Sequence, residues 1–262
     1  KFGLPFIPAL IAAWILNMSD RAMIDRFIGL EEVGIYSLGY KFGSVFMMAS
    51  SGVMLLYNAL YYKAAKSLSK KEYYKKIYKL KNIIVKFGIY ILVSQLLFLK
   101  EIIIIFIGLQ YIDSVIIAQI CAVSCFVAFL SGFMNYYFYQ TNNSLLISGL
   151  VIICAIFNIL LNMIFIPIYG TMGAIIITLL TFVLSLSLKM ILRNKSSYFV
   201  NFNWSSIFKD LLVYSPFIYV TVYLVDMGNI KIDLLINSIF WFFFTLLFFV
   251  RNKKQIFELF IK

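Results

Sequence analysis

The chain offers few side chains able to do chemistry, and the sharpest is Lys41, set inside the apolar run Gly34 to Tyr57. An ionised group at mid-bilayer costs at least ~2.5–3.5 kcal/mol on insertion, so a lysine there marks a site, a water-filled cavity or a pair. On a helix of about 3.6 residues per turn, Ser37, Lys41, Ser44, Met48 and Ser51 form one stripe, which gives the cation hydroxyl neighbours above and below. Gly39 and Gly43 make a GxxxG spacing that lets another helix approach closely, and they lie about 200° round the helix from Lys41. One face can then pack while the opposite face presents the cation to a cavity. The alternative is that Lys41 snorkels to the outer surface, or pairs with Asp20 or Asp25 as a structural bridge.

A second cluster is SDRAMIDR, Ser19 to Arg26. If a helix continues through it, Asn17, Arg21 and Asp25 fall on one face at i, i+4 and i+8, beside the stripe that carries Lys41. Arg21 and Asp25 can equally form a plain intrahelical ion pair, worth a few tenths of a kcal/mol. The expected substrate-binding set is therefore Arg21, Lys41, Asn17, Ser37, Ser44, Asp25 and Arg26, a cationic and hydroxyl-rich surface. Asn158 and Asn162, in FNILLNMIFIPIYG, are spaced to hydrogen-bond across helices and are read as packing residues. The chain has no histidine, and no phosphate-cradling glycine loop, GxSxG or HExxH occurs. Cys121, Cys125 and Cys154 lie in apolar runs without ligand company and read as packing residues. No catalytic residue, cofactor or metal is expected, and an enzyme is not.

The elements that must hold these residues follow from composition. Of 262 residues, 63% are hydrophobic and only 13% charged, about half the charged share of soluble domains. Apolar runs of about 17 to 24 residues match the length a helix needs to cross ~30 Å of hydrocarbon. The expected spans are Leu4 to Ser19, Gly34 to Tyr57, Asn82 to Phe98, Ser114 to Phe138, Ser144 to Phe165, Met172 to Leu192, Phe208 to Leu224 and Leu234 to Val250. After the third, Ile102 to Ile107 is a continuation, a re-entrant turn or an interfacial strand. With Lys1 inside, 18 of the 23 Lys and Arg fall on the inner side and 4 on the outer, with Lys41 within a span. That asymmetry predicts an all-α, polytopic membrane helix bundle of about eight spans with both termini cytoplasmic. The net charge of +12 thus reports topology, and no nucleic-acid partner is expected. Tyr61 to Lys81, with eight lysines, reads as one basic amphipathic helix lying on an anionic leaflet, or as a topology signal alone. The polar stretch Arg193 to Ser206 divides residues 1–192, a six-helix lobe, from 193–262, two accessory helices and a short tail. The chain opens without Met or a cleavable signal, which predicts a piece of something longer.

Two stretches carry a resemblance. GLPFIPALIAAWILNMSDRAMIDRFIGLEEVGIYSLGYK, with its SDR, VGIYS and YK, resembles the seventh and eighth helices of the O-antigen and polysaccharide flippases of the multidrug, oligosaccharidyl-lipid and polysaccharide exporter superfamily. FNILLNMIFIPIYGTMGAIIITLL, Phe157 to Leu180, resembles that family's eleventh and twelfth. The likeness covers residues 1–192 well and the remainder weakly. It implies two six-helix lobes about a central cavity, alternating access by rocking, and basic residues that bind a lipid-linked oligosaccharide diphosphate. By motif, Arg21 in SDR and Lys41 in YK match the cavity cations. It also implies a missing N-terminal lobe as partner, besides membrane lipids, and a place in the bacterial inner membrane.

Two other functions compete. An organic-cation or multidrug antiporter of the same superfamily would prefer a membrane-embedded acidic residue, and no span contains one clear of its ends. A membrane-bound sugar or acyl transferase, or a polysaccharide polymerase, would need catalytic groups in a sizeable outer loop. The expected outer loops are about 15 residues or shorter, so a transporter of an anionic lipid is the leading expectation.

Overall fold

The computed structural model describes residues 6–141, 143–193, 199–220 and 229–260, with side chains for all of these except 6–9, 13, 17, 144 and 254–260. It is 92% helical and has no strand among the described residues. Eight helical elements follow in order: α1 Phe6–Phe27, α2 Leu30–Gly43, α3 Val45–Ser67, α4 Lys70–Phe106, α5 Ser114–Gln140, α6 Ser144–Ile191, α7 Trp204–Tyr219 and α8 Ile230–Phe260. Among the described residues, five stretches are long and apolar enough to cross a membrane, which makes this a multi-pass helical architecture. One of them, within α6, bends sharply at Gly170, whose φ of 63° and ψ of −146° break it into two arms. A left-handed φ is open to glycine at little steric cost, and Pro167 ahead of it has already removed a helical donor.

Several boundaries differ from expectation for local reasons. SDRAMIDR does not end the first helix; α1 runs on to Phe27 and turns at Gly29, where φ is 135°. The second expected span starts at Leu30 and is interrupted at Ser44, whose side chain turns back to the Lys41 carbonyl at 2.9 Å. Tyr61 to Lys81 is not one helix. Ser69 starts α4 with a capping box, its hydroxyl accepting from the Glu72 amide while the Glu72 carboxylate accepts from the Ser69 amide. That S-x-x-E signature lay inside the lysine run, and the Ser69 hydroxyl holds the Glu72 carboxyl below its ordinary range. Ile102 to Ile107 continues α4 as far as Phe106. The expected seventh span runs past residue 220, outside the described residues.

The core runs through the bundle, from α2, α3, α4 and α5 to buried residues of α6, α7 and α8, and its aromatic centre lies between α3 and α5. Phe46 meets Phe126 and Phe129 edge-on, with centroids 5.9 and 5.7 Å away, and Tyr57 meets Phe133 at 4.8 Å. Lipid tails are as apolar as leucine, so such shape and ring contacts carry the association, at ~0.5–1.5 kcal/mol per aromatic pair. The α2–α5 contact is closest at Gly39 and Gly43, where an added Cβ would fall 2.6 Å from the Ser114 carbonyl oxygen and 2.4 Å from Cys121 Cβ. The glycine face thus packs as its spacing predicted, and the buried free cysteine fills the groove.

α1 lies against α2 and α6, while α7 and α8 pack on α4. The α4–α8 seam is an antiparallel ladder of polar rungs. Lys86 Nζ donates to Asn252 Oδ1 at 2.8 Å, Tyr90 and Thr245 hydroxyls lie 3.2 Å apart, Trp241 Nε1 donates to Ser94 Oγ at 2.9 Å, and Asn237 Nδ2 donates to Glu101 Oε1 at 2.7 Å. At the Lys86 end, Arg251 of α8 also pairs with Asp210 of α7 at 2.9 Å.

Candidate functional site

The α1–α2 pair meets α6 in a polar cluster inside the bundle. Because α1 is helical through SDRAMIDR, Asp20 faces inward and is 2% exposed. Its carboxylate accepts from Tyr36 Oη at 2.8 Å, Asn162 Nδ2 at 2.6 Å and Thr178 Oγ1 at 3.1 Å. Asn162 donates to Asn158 Oδ1 at 3.0 Å, and Asn158 donates to Thr181 Oγ1 at 3.2 Å. Asn158 and Asn162 come from one arm of α6 and Thr178 and Thr181 from the other, so the bend at Gly170 brings them together. The two asparagines hydrogen-bond across helices as their spacing suggested, to Asp20 and Thr181, whereas an acidic residue lying clear of the helix ends is a correction. Nothing local announced this, since Tyr36, Asn162 and Thr178 are 16, 142 and 158 residues from Asp20.

The next residue turns the other way. Arg21 Nε donates to Ser37 Oγ at 3.1 Å, and its guanidinium lies 5.0 Å from the Tyr40 ring centre and 5.9 Å from that of Tyr36. A cation over a ring face gains ~0.5–2 kcal/mol, more as water is removed. The contact fixes the guanidinium against α2 and joins the two stripes that the sequence set side by side. Arg21 is half-buried. Lys41, one helical turn beyond Ser37 and on the face away from the glycines, is exposed, as are Asp25, Arg26 and Ser51.

Of the expected set, the structure brings together Arg21 and Ser37 and leaves Lys41 on the continuation of that stripe. The Ser44 hydroxyl donates to the Lys41 carbonyl at 2.9 Å. Asp25 and Arg26 sit near the α1 end. The side chain of Asn17 lies outside the described residues. Asp20 is not the partner of Lys41, since its two oxygens are taken by Tyr36, Asn162 and Thr178.

Oxygen atoms dominate the buried cluster, and Asn162 Oδ1 is buried without a hydrogen-bond partner. A carboxylate beside an unsatisfied amide oxygen and threonine hydroxyls can take up a proton or a hard monovalent cation. Among the described residues no group of three or more His, Cys, Asp or Glu is placed to hold a metal ion.

Two lysines counted as surface charges turn inward. Lys81, 2% exposed, donates to the Val200 carbonyl and, at 2.6 Å, to that of Asn201, with its ammonium 4.1 Å from the Phe202 ring centre. The stretch expected to separate a lobe from accessory helices is thereby tied to α4. Lys189, 5% exposed, donates to Ser131 Oγ at 2.8 Å.

The helices and this site define a multi-pass membrane protein with a charged α1–α2 face above a buried carboxylate. No protein-family model, curated protein or solved structure matches the chain.

Proposed function

We propose that this chain is the C-terminal lobe, with two accessory helices, of an exporter that moves polyprenyl-diphosphate-linked oligosaccharide across the cytoplasmic membrane by alternating access, and that it is not an enzyme. In this reading it has eight spans, the two arms of α6 counting separately, with both termini cytoplasmic, residues 1–192 forming the lobe and 193–262 the accessory part. One observation carries it: Arg21 is fixed against Ser37 and Tyr40 while Lys41 stands exposed one turn further along the same stripe. Two cations on adjacent helices suit a diphosphate, each charge-assisted contact adding ~1.5–3 kcal/mol in a site shielded from water. Facing lobes would close the cavity, and rocking would carry the headgroup across. Replacement of Arg21 or Lys41 by Gln in the complete exporter should reduce surface polysaccharide at equal protein level, with Lys41→Arg retaining more function than Lys41→Gln. Parental export by both Gln variants refutes the cationic-face mechanism.

One observation favours a second reading. Asp20, buried and surrounded by polar groups, supplies the embedded acid that an organic-cation antiporter needs. Under that reading Asp20→Asn abolishes cation efflux while Arg21→Gln and Lys41→Gln leave it intact, the reverse of the expectation for an anionic lipid.

A further inference from the structure

The α4–α8 ladder contains one rung that does not close. In the other three, a donor meets an acceptor. In the fourth, Asn237 Nδ2 donates to Glu101 Oε1, while Glu101 Oε2 and Asn237 Oδ1 are both buried with no hydrogen-bond partner. Glu101 and Asn237 are each 1% exposed. Two orphan acceptors flank a single contact, and with an ionised carboxylate that arrangement is unfavourable twice over.

One proton removes both faults. A carboxylic acid and a primary amide close a ring of two hydrogen bonds, in which the amide N–H donates to one acid oxygen and the acid O–H donates to the amide oxygen. A proton on Oε2 donated to Asn237 Oδ1 would pair both orphan acceptors. We propose that Glu101 is a proton-binding site, held as the neutral acid by Asn237, which clasps accessory helix α8 to the lobe.

Lys100 precedes Glu101 on α4, and Asp233, 4% exposed, lies one turn before Asn237 on α8; both have contacts of their own. Asp233 favours the proton on Glu101 and Lys100 opposes it. Lys231 of α8 is exposed, and Asp210 of α7 is at the far end of the seam with Arg251. From the α5 side, Asp113 and Gln119 line, with Lys100, Glu101 and neighbouring aliphatics, a cavity of about 280 Å³. That volume holds several waters at ~30 Å³ each, and it gives the acid an exchange route between helices. Loss of the proton sets a charge beside the Asn237 carbonyl and Asp233 with no new donor, so the clasp opens while the rungs toward Lys86 hold.

A group that binds a proton more tightly when folded contributes stability that is full at low pH and is lost as pH rises. The site is distinct from the Arg21–Lys41 face, and the inference does not depend on what the protein transports. Infrared spectra of the full chain in lipid vesicles, in potassium or sodium buffers across pH, test it against Glu101→Gln. The wild type should show a protonated-carboxyl stretch that is absent from the variant and is lost reversibly as pH rises. The glutamine amide repeats both hydrogen bonds, so the variant should keep the wild type's low-pH melting temperature and lose less of it than the wild type does as pH rises. Should that variant fail to fold, Asn237→Leu serves instead: it removes the acceptor and should shift the acid band to the higher frequency of an unbonded acid. Absence of a Glu101-dependent acid band at every pH overturns the proposal, as does an acid band that Asn237→Leu leaves unmoved. A band displaced by sodium also overturns it, in favour of a metal cation at the same oxygens.

Discussion

Adding one methyl group to Gly43 should destabilise the lobe, and the size of the effect can be worked from the α2–α5 contact. The new Cβ would fall 2.4 Å from Cys121 Cβ, 2.6 Å from the Ala118 carbonyl oxygen and 2.9 Å from Cys121 Sγ, where ordinary contact starts at 3.4 Å. Two of these three atoms are backbone or Cβ and cannot rotate away, so the helices must part by about 1 Å, the shortfall at Cys121 Cβ. Parting also loosens the Gly39 contact with Ser114 and Ile117. Overpacking of this kind costs ~1–3 kcal/mol, offset in part by the ~0.5–1 kcal/mol that alanine gains over glycine in a helix. A net loss of ~1 kcal/mol lowers the melting temperature by roughly 2–4 °C in a chain of this length. Gly52→Ala is the control: nothing lies within 4 Å of its added Cβ, so it should leave the melting temperature unchanged or raise it by a few degrees. Cys121, Cys125 and Cys154 are free and buried, so a thiol-reactive dye reads unfolding without a further label. The packing argument is refuted if Gly43→Ala melts at or above the wild type while Gly52→Ala behaves as stated.

Asp20→Leu strands the Tyr36 hydroxyl and one Asn162 N–H, while the Thr178 hydroxyl keeps the Ala174 carbonyl at 3.1 Å, and it should lower stability by ~2–5 kcal/mol, since each unsatisfied group costs ~1–3 kcal/mol. Asp20→Asn keeps the size and one acceptor and should lose less than half of that, measured by the same dye. Single cysteines at Ser69 and Gln110, in a background lacking the native three, test the orientation. Position 110 should label from outside intact cells and position 69 only after permeabilisation, and the opposite pattern inverts the topology.

How much was legible depended on whether the partner was near in sequence. The 3.6-residue period exposed the Lys41 stripe and the glycine face opposite it, because both lie on one short helix and the packing partner needs only to be close. The Arg21 stripe was likewise visible, though not that Ser37 and Tyr40 would hold it. Asp20 was hidden by its own neighbours: a charge-dense octet reads as a helix end, and the residues that make its burial tolerable lie in α2 and both arms of α6. The α4–α8 ladder shows the same limit. Tyr90 and Ser94 recur at four-residue spacing, as do Asn237, Trp241 and Thr245, yet nothing in either run names the other. Lys81 and Lys189 were counted as surface charge because a lysine near a span end normally snorkels outward; here carbonyls of 200–201 and the Ser131 hydroxyl draw them in. Ser69 and Glu72 were a readable capping box that the surrounding lysines obscured.

The sign of the transported charge tests the account most directly. The complete exporter, reconstituted in vesicles, would be assayed for translocation of a polyprenyl-diphosphate-linked oligosaccharide and, in parallel, for uptake of an organic cation. The α1–α2 face predicts movement of the diphosphate, reduced roughly 10- to 150-fold by Arg21→Gln or Lys41→Gln, the equivalent of ~1.5–3 kcal/mol per charged contact. Uptake of the cation with no movement of the diphosphate, unaffected by either substitution and abolished by Asp20→Asn, contradicts it.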